Sequence, residues 1–181
     1  MNYIFLAAGF EDLEAITIYD VLHRAGLPVE YVSISNDYQV VGAHGTVVVA
    51  QRLFSEIDYQ EVQSLLLPGG MPGASHLLAH KGLTDLLIEK SKTSVLIGAL
   101  CASPMILGRL GLLKGKEATV YPGFEEALEG AILCTDSSTV EDGTIITGKG
   151  PGVAIDFALH IVTYLKDASS AQSIAESMLF V

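Results

Sequence analysis

The sequence predicts an α/β fold: a mainly parallel sheet covered by helices on both faces. Short apolar runs rich in β-branched residues alternate along the chain with longer amphipathic segments. Several runs, such as Ser64 to Leu67 and Val95 to Leu100, are apolar almost throughout, as strands buried on both faces are. The 18 glycines fall in turns between these segments rather than in a repeat. At 181 residues, half of them apolar, with no linker or low-complexity stretch, residues 1–181 are expected to form one domain.

Each element has a local reason. The first apolar run ends at Leu6, and Glu11 to Ala25 is an amphipathic helix with Leu13, Ile16, Val21 and Leu22 roughly on one face, stopped by Gly26. Val29 to Ile34 is a β-branched strand, and Val40-Val41 and Thr46 to Val49 flank a Gly42 to Gly45 turn like a hairpin. Ser64 to Leu67 is a buried strand ended by Pro68-Gly69-Gly70, and Leu77 to Lys92 is helical with a break near Gly82. Val95 to Leu100 is a strand, and Met105 to Leu110 is the helix after it. Then follow a strand at Thr119-Val120, a weak helix over Phe124 to Leu128, and strands at Ser138 to Glu141 and Thr144 to Thr147. The chain closes with helices over Val153 to Leu165 and around Ala171, Ile174, Ala175 and Met178, the latter capped by Ser169-Ser170.

Composition narrows the function classes. The formal net charge of −11, with no cluster of Lys or Arg, disfavours a nucleic-acid partner, which calls for a basic stripe. No run approaches the ~20 apolar residues that span a bilayer. Met1 to Leu6 enters a strand directly, without the charged start of a signal peptide. Two cysteines far apart give no disulfide framework, and a cytoplasmic location is expected.

Cys101 is the most informative residue. An apolar strand ends on it and a helix opens shortly after, with Pro104 in its first turn. That strand-to-helix turn holds a nucleophile out of the sheet, where backbone N–H groups favour a thiolate. Cys134 lacks such a setting and is read as structural. Sites in open α/β sheets form beyond the carboxyl ends of the strands. Three such ends stand out: Ala7-Ala8-Gly9 leading to Glu14, Leu67 to Gly70, and Leu100-Cys101-Ala102. If those strands are neighbours, a carboxylate, a glycine backbone and a thiol converge. On residue type alone, Glu11 or Asp12 would serve as well as Glu14.

Other motifs carry less. Gly143 to Gly150 nearly matches a phosphate-binding loop, but Gly150 replaces the Ser/Thr that holds magnesium and the intervening residues are β-formers. His76 and His80 are four apart without a third ligand, so no metal site is expected. Asp20 and Arg24 form an ordinary i,i+4 pair.

The segments Gly9 to Glu14, Asp20 to Gly26, Leu67 to Ala74, the Cys101 turn and Gly148 to Gly152 together resemble the ThiJ/PfpI superfamily, itself similar to the class I glutamine amidotransferases. The likeness is greatest to the single-domain branch that includes the parkinsonism-associated protein deglycase and its bacterial relatives. It implies a flavodoxin-like three-layer sandwich and a homodimer. Cys101 would be the nucleophile and Glu14 a protonated acid donating to its thiolate, with the thiol's pKa lowered. Gly70 and Ala102 N–H would form an oxyanion site, and Gly69, Ser103, His44 and Tyr121 a pocket rim. Related proteins often have glycine at Ser103, histidine at Tyr121 and arginine near His44. The protease-labelled branch has Cys-His where this chain has Cys101-Ala102, which argues against a peptidase.

The resemblance implies a cofactor-free enzyme acting on small 2-oxoaldehydes or glycated substrates, as a glutathione-independent glyoxalase or deglycase does. Cys101 would form a hemithioacetal and Glu14 would move the proton. The rival readings are an oxidative-stress sensor or chaperone with Cys101 oxidised to sulfinic acid, and a hydrolase or amidase of the wider superfamily.

Overall fold

The computed structural model describes residues 1–180. The elements run β1 (Asn2–Leu6), α1 (Asp12–Arg24), β2 (Val29–Ser33), β3 (Gln39–Val41), β4 (Val47–Val49), β5 (Arg52–Leu53), β6 (Ser64–Leu67), α2 (Gly73–Ala79), α3 (Lys81–Lys90), β7 (Leu96–Leu100), α4 (Pro104–Arg109), β8 (Glu117–Ala118), β9 (Ile132–Leu133), β10 (Thr139–Asp142), β11 (Ile145–Gly148), α5 (Ala154–Leu165) and α6 (Ala168–Ser177). Seven strands form one sheet in the order β10-β11-β7-β6-β1-β2-β5. All pair in parallel except β10 with β11. The result is the expected three-layer, flavodoxin-like α/β sandwich. Among the described residues, no helix is long and apolar enough to cross a membrane.

The continuous apolar runs are explained by two cores. Phe5, Leu65, Leu67, Ile97 and Ala99 point to one face, where they meet Leu77 of α2, Leu83 and Leu87 of α3, and Ile106 of α4. Their neighbours Ile4, Leu6, Leu66, Leu96, Leu100 and Ile146 point to the other, against Ala15, Ile18 and Leu22 of α1 and Phe157 and Ile161 of α5. Alternate residues of one strand feed opposite cores, so both faces are apolar except where a buried polar side chain is hydrogen-bonded, as Ser64 is to Asn2. The helix after β1 lies on one face and those after the adjacent β6 lie on the other. Their divergence opens the crevice where ligands bind in such sheets.

Several local expectations need correction. Val21 and Leu22 are buried as expected, but Leu13 and Ile16 are exposed and α1 buries Ala15 and Ile18 in their place. The two faces of this helix are both partly apolar, so periodicity alone misjudges which one turns inward. The break expected near Gly82 is present but falls at His80, which ends α2 and whose ring accepts the Leu83 N–H to cap α3. Asp167, rather than Ser169-Ser170, caps α6 by accepting from Ser170 N–H at 2.7 Å. The strand expected at Thr119-Val120 falls at Glu117–Ala118, and the weak helix over 124–128 is a 3-10 turn at Glu125–Ala127. The two-residue strands β5 and β9 are too short to show any period. The hairpin forms as expected from β3 and β4, and the near-phosphate-loop segment contains the buried strand β11.

Candidate active site

Cys101 follows β7 with φ of 61°, a left-handed conformation that a non-glycine residue adopts only when its surroundings enforce it. They do so from both sides. Its N–H donates to Gly148 O at 2.9 Å on β11, and its carbonyl accepts Tyr121 N–H at 2.9 Å. Ser103 N–H closes the turn on Leu100 O, and α4 starts at Pro104. The thiol is thereby turned toward the β6–α2 loop, where the N–H groups of Ala102 and Gly70 face the sulfur.

That loop requires glycine twice. A Cβ at Gly69 would lie 2.6 Å from Cys101 Cβ and 3.0 Å from Ala102 N. Gly70 has φ of +89°, and a Cβ there would lie 2.3 Å from Glu11 N. The backbone of the β6–α2 loop can therefore press against both the nucleophile turn and the start of α1.

Glu14 completes the cluster. It is fully buried in the first turn of α1, and its Oε2 accepts Gly69 N–H at 2.7 Å. Oε1 is buried without a hydrogen-bond partner, and Cys101 is a side chain that acts on this carboxyl. The two other acids of the segment are separated by what they touch. Glu11 caps α1, its Oε2 accepting Glu14 N–H at 2.8 Å. Asp12 accepts His44 N–H and Thr46 N–H, each at 3.0 Å, and so ties down the β3–β4 turn. Burial opposes it, but these hydrogen bonds hold the Asp12 carboxyl below its usual range.

The electrostatics of the pair correct one expectation. Burial pushes the Glu14 carboxyl up to about 7, the nearby Glu11 charge adding to this while Gly69 N–H and the thiol oppose it. The thiol does not fall. Burial, then the charge and hydrogen bond of ionised Glu14, push it up to about 12 against the pull of the Ala102 and Gly70 amides. The two groups therefore titrate as a unit that carries two protons below about 7 and keeps one above it. Moving that proton from sulfur to Glu14 removes the opposing charge and leaves a thiolate facing two amides.

The expected rim residues scatter. Gly69 is buried and serves as the donor to Glu14. Ser103 is buried too, its Oγ donating to Pro68 O at 2.6 Å, so it braces the glycine loop against the Cys101 turn instead of lining a pocket. His44 is exposed on the hairpin turn, its Nδ1 3.4 Å from Asp12 and 3.6 Å from Glu11. Tyr121 is 44% exposed and remains at the surface beside Cys101, with its ring near Gly150. A hollow of about 260 Å³ lies there, lined by Tyr121, Pro122, Lys149 and Gly150 to Val153.

The remaining histidines are engaged away from the thiol. His76 Nδ1 meets Ala8 O at 2.9 Å, His80 caps α3, His23 stacks on Tyr19, and His160 bridges Thr139 and Glu141. Asp20 and Arg24 form an exposed ion pair at 2.6 Å. Glu11 and the Gly148 carbonyl are the site groups that sequence reasoning did not place. An acid three residues before another at a helix start is a capping signal, whereas the Gly148 contact depends on β7 and β11 being neighbours.

The sequence and the fold have known counterparts. Residues 2–164 match the DJ-1/PfpI family. The chain belongs to that family. It is 35% identical over 176 residues to Protein DJ-1 homolog A of Arabidopsis thaliana, covering 96% of this chain and 45% of that protein. It thus spans less than half the length of that relative. It is 32% identical over 168 residues to a protein of Caenorhabditis elegans named as a glutathione-independent glyoxalase, covering 93% of this chain and 89% of that one. Among solved structures, oxidized DJ-1 of Toxoplasma gondii superposes with a TM-score of 0.94 at 32% identity, covering 99% of this chain and 97% of that one.

Proposed function

We propose that this family member is a cysteine-dependent enzyme acting on small 2-oxoaldehydes or the adducts they form on amines, with Cys101 as nucleophile and Glu14 as proton carrier. The observation that carries this is the buried Glu14 carboxyl, held by Gly69 N–H through one oxygen while the other is buried without a hydrogen bond. A carboxyl so placed can take a proton from a reacting group and return it. The named activity of the nematode relative supports the substrate class.

In the proposed sequence, Glu14 takes the thiol proton as Cys101 sulfur adds to the aldehyde carbon and passes it to the oxyanion that forms, giving a hemithioacetal and restoring the carboxylate. The carboxylate then removes the hydrogen on that carbon, and the resulting enediol is protonated at the adjacent carbon. This leaves a 2-hydroxy thioester, oxidised at one carbon and reduced at the next. Water cleaves it to the hydroxy acid and restores the thiol, so one water is consumed and no external oxidant is needed. Ala102 and Gly70 N–H are the donors for negative charge next to the sulfur. No imidazole enters the scheme. Cys101→Ala and Glu14→Gln should each lower methylglyoxal turnover by at least about 100-fold, the lower end of what a positioned acid–base contributes. Full activity in either would overturn the mechanism.

A second reading has its own observation. The same two amides and a proton-bearing carboxyl around sulfur would also hold a sulfinate, so Cys101 would serve as an oxidative-stress sensor. Selective addition of two oxygens at Cys101 by peroxide, without aldehyde turnover, would favour it.

We further propose that the chain acts as one domain and as a homodimer in a reducing compartment such as the cytoplasm. Both of its cysteines are free. Leu13 and Ile16 on α1, with Val41 and Val47 on the hairpin that Asp12 ties to it, form an exposed apolar surface suited to a second copy.

A further inference from the structure

We propose that Glu11 is a positioning residue for the Glu14–Cys101 pair: its carboxylate fixes Glu14 at the start of α1, and its charge keeps the shared proton within the pair. The inference rests on the reading of Glu14 as the proton carrier. Three hydrogen bonds close a ring around the site. Glu11 N–H donates to Gly69 O at 2.8 Å, Gly69 N–H donates to Glu14 Oε2 at 2.7 Å, and Glu14 N–H donates to Glu11 Oε2 at 2.8 Å. Each corner constrains the other two, so the Glu14 carboxyl cannot turn from the thiol without breaking the ring.

The charge is a separate matter from the cap. A helix start is capped well by neutral oxygens such as those of serine or asparagine. Glu11 instead places a carboxylate there, with its side chain only 13% exposed, so little water screens it from Glu14. Two titratable groups act on Glu14: Glu11 from its own helix and Cys101 from the end of β7; the β6–α2 loop contributes the Gly69 backbone. Glu11 is faced in turn by His44 of the β3–β4 turn, with Asp12 beside it. His44 is 71% exposed, so solvent screens it far more than Glu11. Removing the Glu11 charge while keeping an accepting oxygen should leave the ring in place and release the Glu14 proton at lower pH.

The test is a carbon-13 NMR titration of glutamate carboxyl carbons in the whole protein, with the Glu14 signal assigned by its loss in Glu14→Gln. Glu11→Gln should lower the Glu14 midpoint by about half a unit or more, and Glu11→Asp, which keeps the charge, should restore most of it. A Glu14 midpoint that coincides with wild type in folded Glu11→Gln would overturn the proposal. Should that variant not fold, Glu11→Ser, a neutral capping residue, carries the same two outcomes. The titration needs no aldehyde, so its result is distinct from turnover. A shifted midpoint in a protein inactive on aldehydes would support the role of Glu11 while removing the enzymatic reading of Glu14.

Discussion

Cys101 and Glu14 illustrate how burial assigns chemistry to residues whose types alone do not. A carboxyl in the first turn of a helix is ordinarily an exposed complement to the helix dipole. At position 14 it is sealed between α1, the glycine loop and the thiol, so it keeps its proton far above the carboxylate range. The sign of the stability effect follows. Glu14 is raised from 4.5 to about 7 on folding, so between those values the unfolded chain releases a proton that the folded chain retains. The stabilisation from keeping this group neutral is complete below pH 4.5 and is lost as pH rises through 7, on the order of 3 kcal/mol at most. Urea unfolding of wild type and Glu14→Gln between pH 4.5 and 8 should show the variant gaining relative stability with rising pH. A constant difference across that range would contradict a neutral, buried Glu14.

At the scale of elements, the site depends on the contact between the β6–α2 loop and the Cys101 turn. Ser103 Oγ on Pro68 O and the close fit of Gly69 against Cys101 Cβ hold these two loops together. Ser103→Ala leaves the Pro68 carbonyl unpaired in a buried position and should cost about 1–3 kcal/mol. Gly69→Ala forces a methyl group into the nucleophile turn and should cost a similar amount, with loss of Cys101 alkylation by iodoacetamide. Denaturant melts and the alkylation rate check both, and a Gly69→Ala protein with wild-type alkylation would contradict the packing argument. Much of this level was legible in the sequence. The Cys101 turn, the Pro68-Gly69-Gly70 stop and the alternation of strands and helices are local patterns. The choice of Glu14 over Glu11 and Asp12 was not, because it depends on which acid reaches Gly69 across 55 residues of chain. The contacts of Ser103 and Gly69 escape the sequence for the same reason: their partners, Pro68 and Glu14, lie 35 and 55 residues away along the chain.

The whole molecule brings the site together by placing α1 on one face of the sheet and α2 to α4 on the other, so that β1, β6 and β7 deliver an acid, a glycine backbone and a thiol to one edge. It also leaves Leu13 and Ile16 facing solvent, although their apolar character suggested the core. Periodicity shows that a helix has an apolar stripe but does not show which of two stripes meets the sheet. If this outer stripe joins two copies, Leu13→Glu with Ile16→Lys should shift the protein from dimer to monomer by light scattering while its circular dichroism stays unchanged. A monomeric wild type would remove that surface from the account. The most direct test of the central claim is turnover of methylglyoxal by the purified protein without glutathione, followed as lactate, alongside Cys101→Ser. Lactate formed by wild type and lost in the variant is the predicted result. Equal rates in the two proteins, or no turnover by wild type, would contradict it.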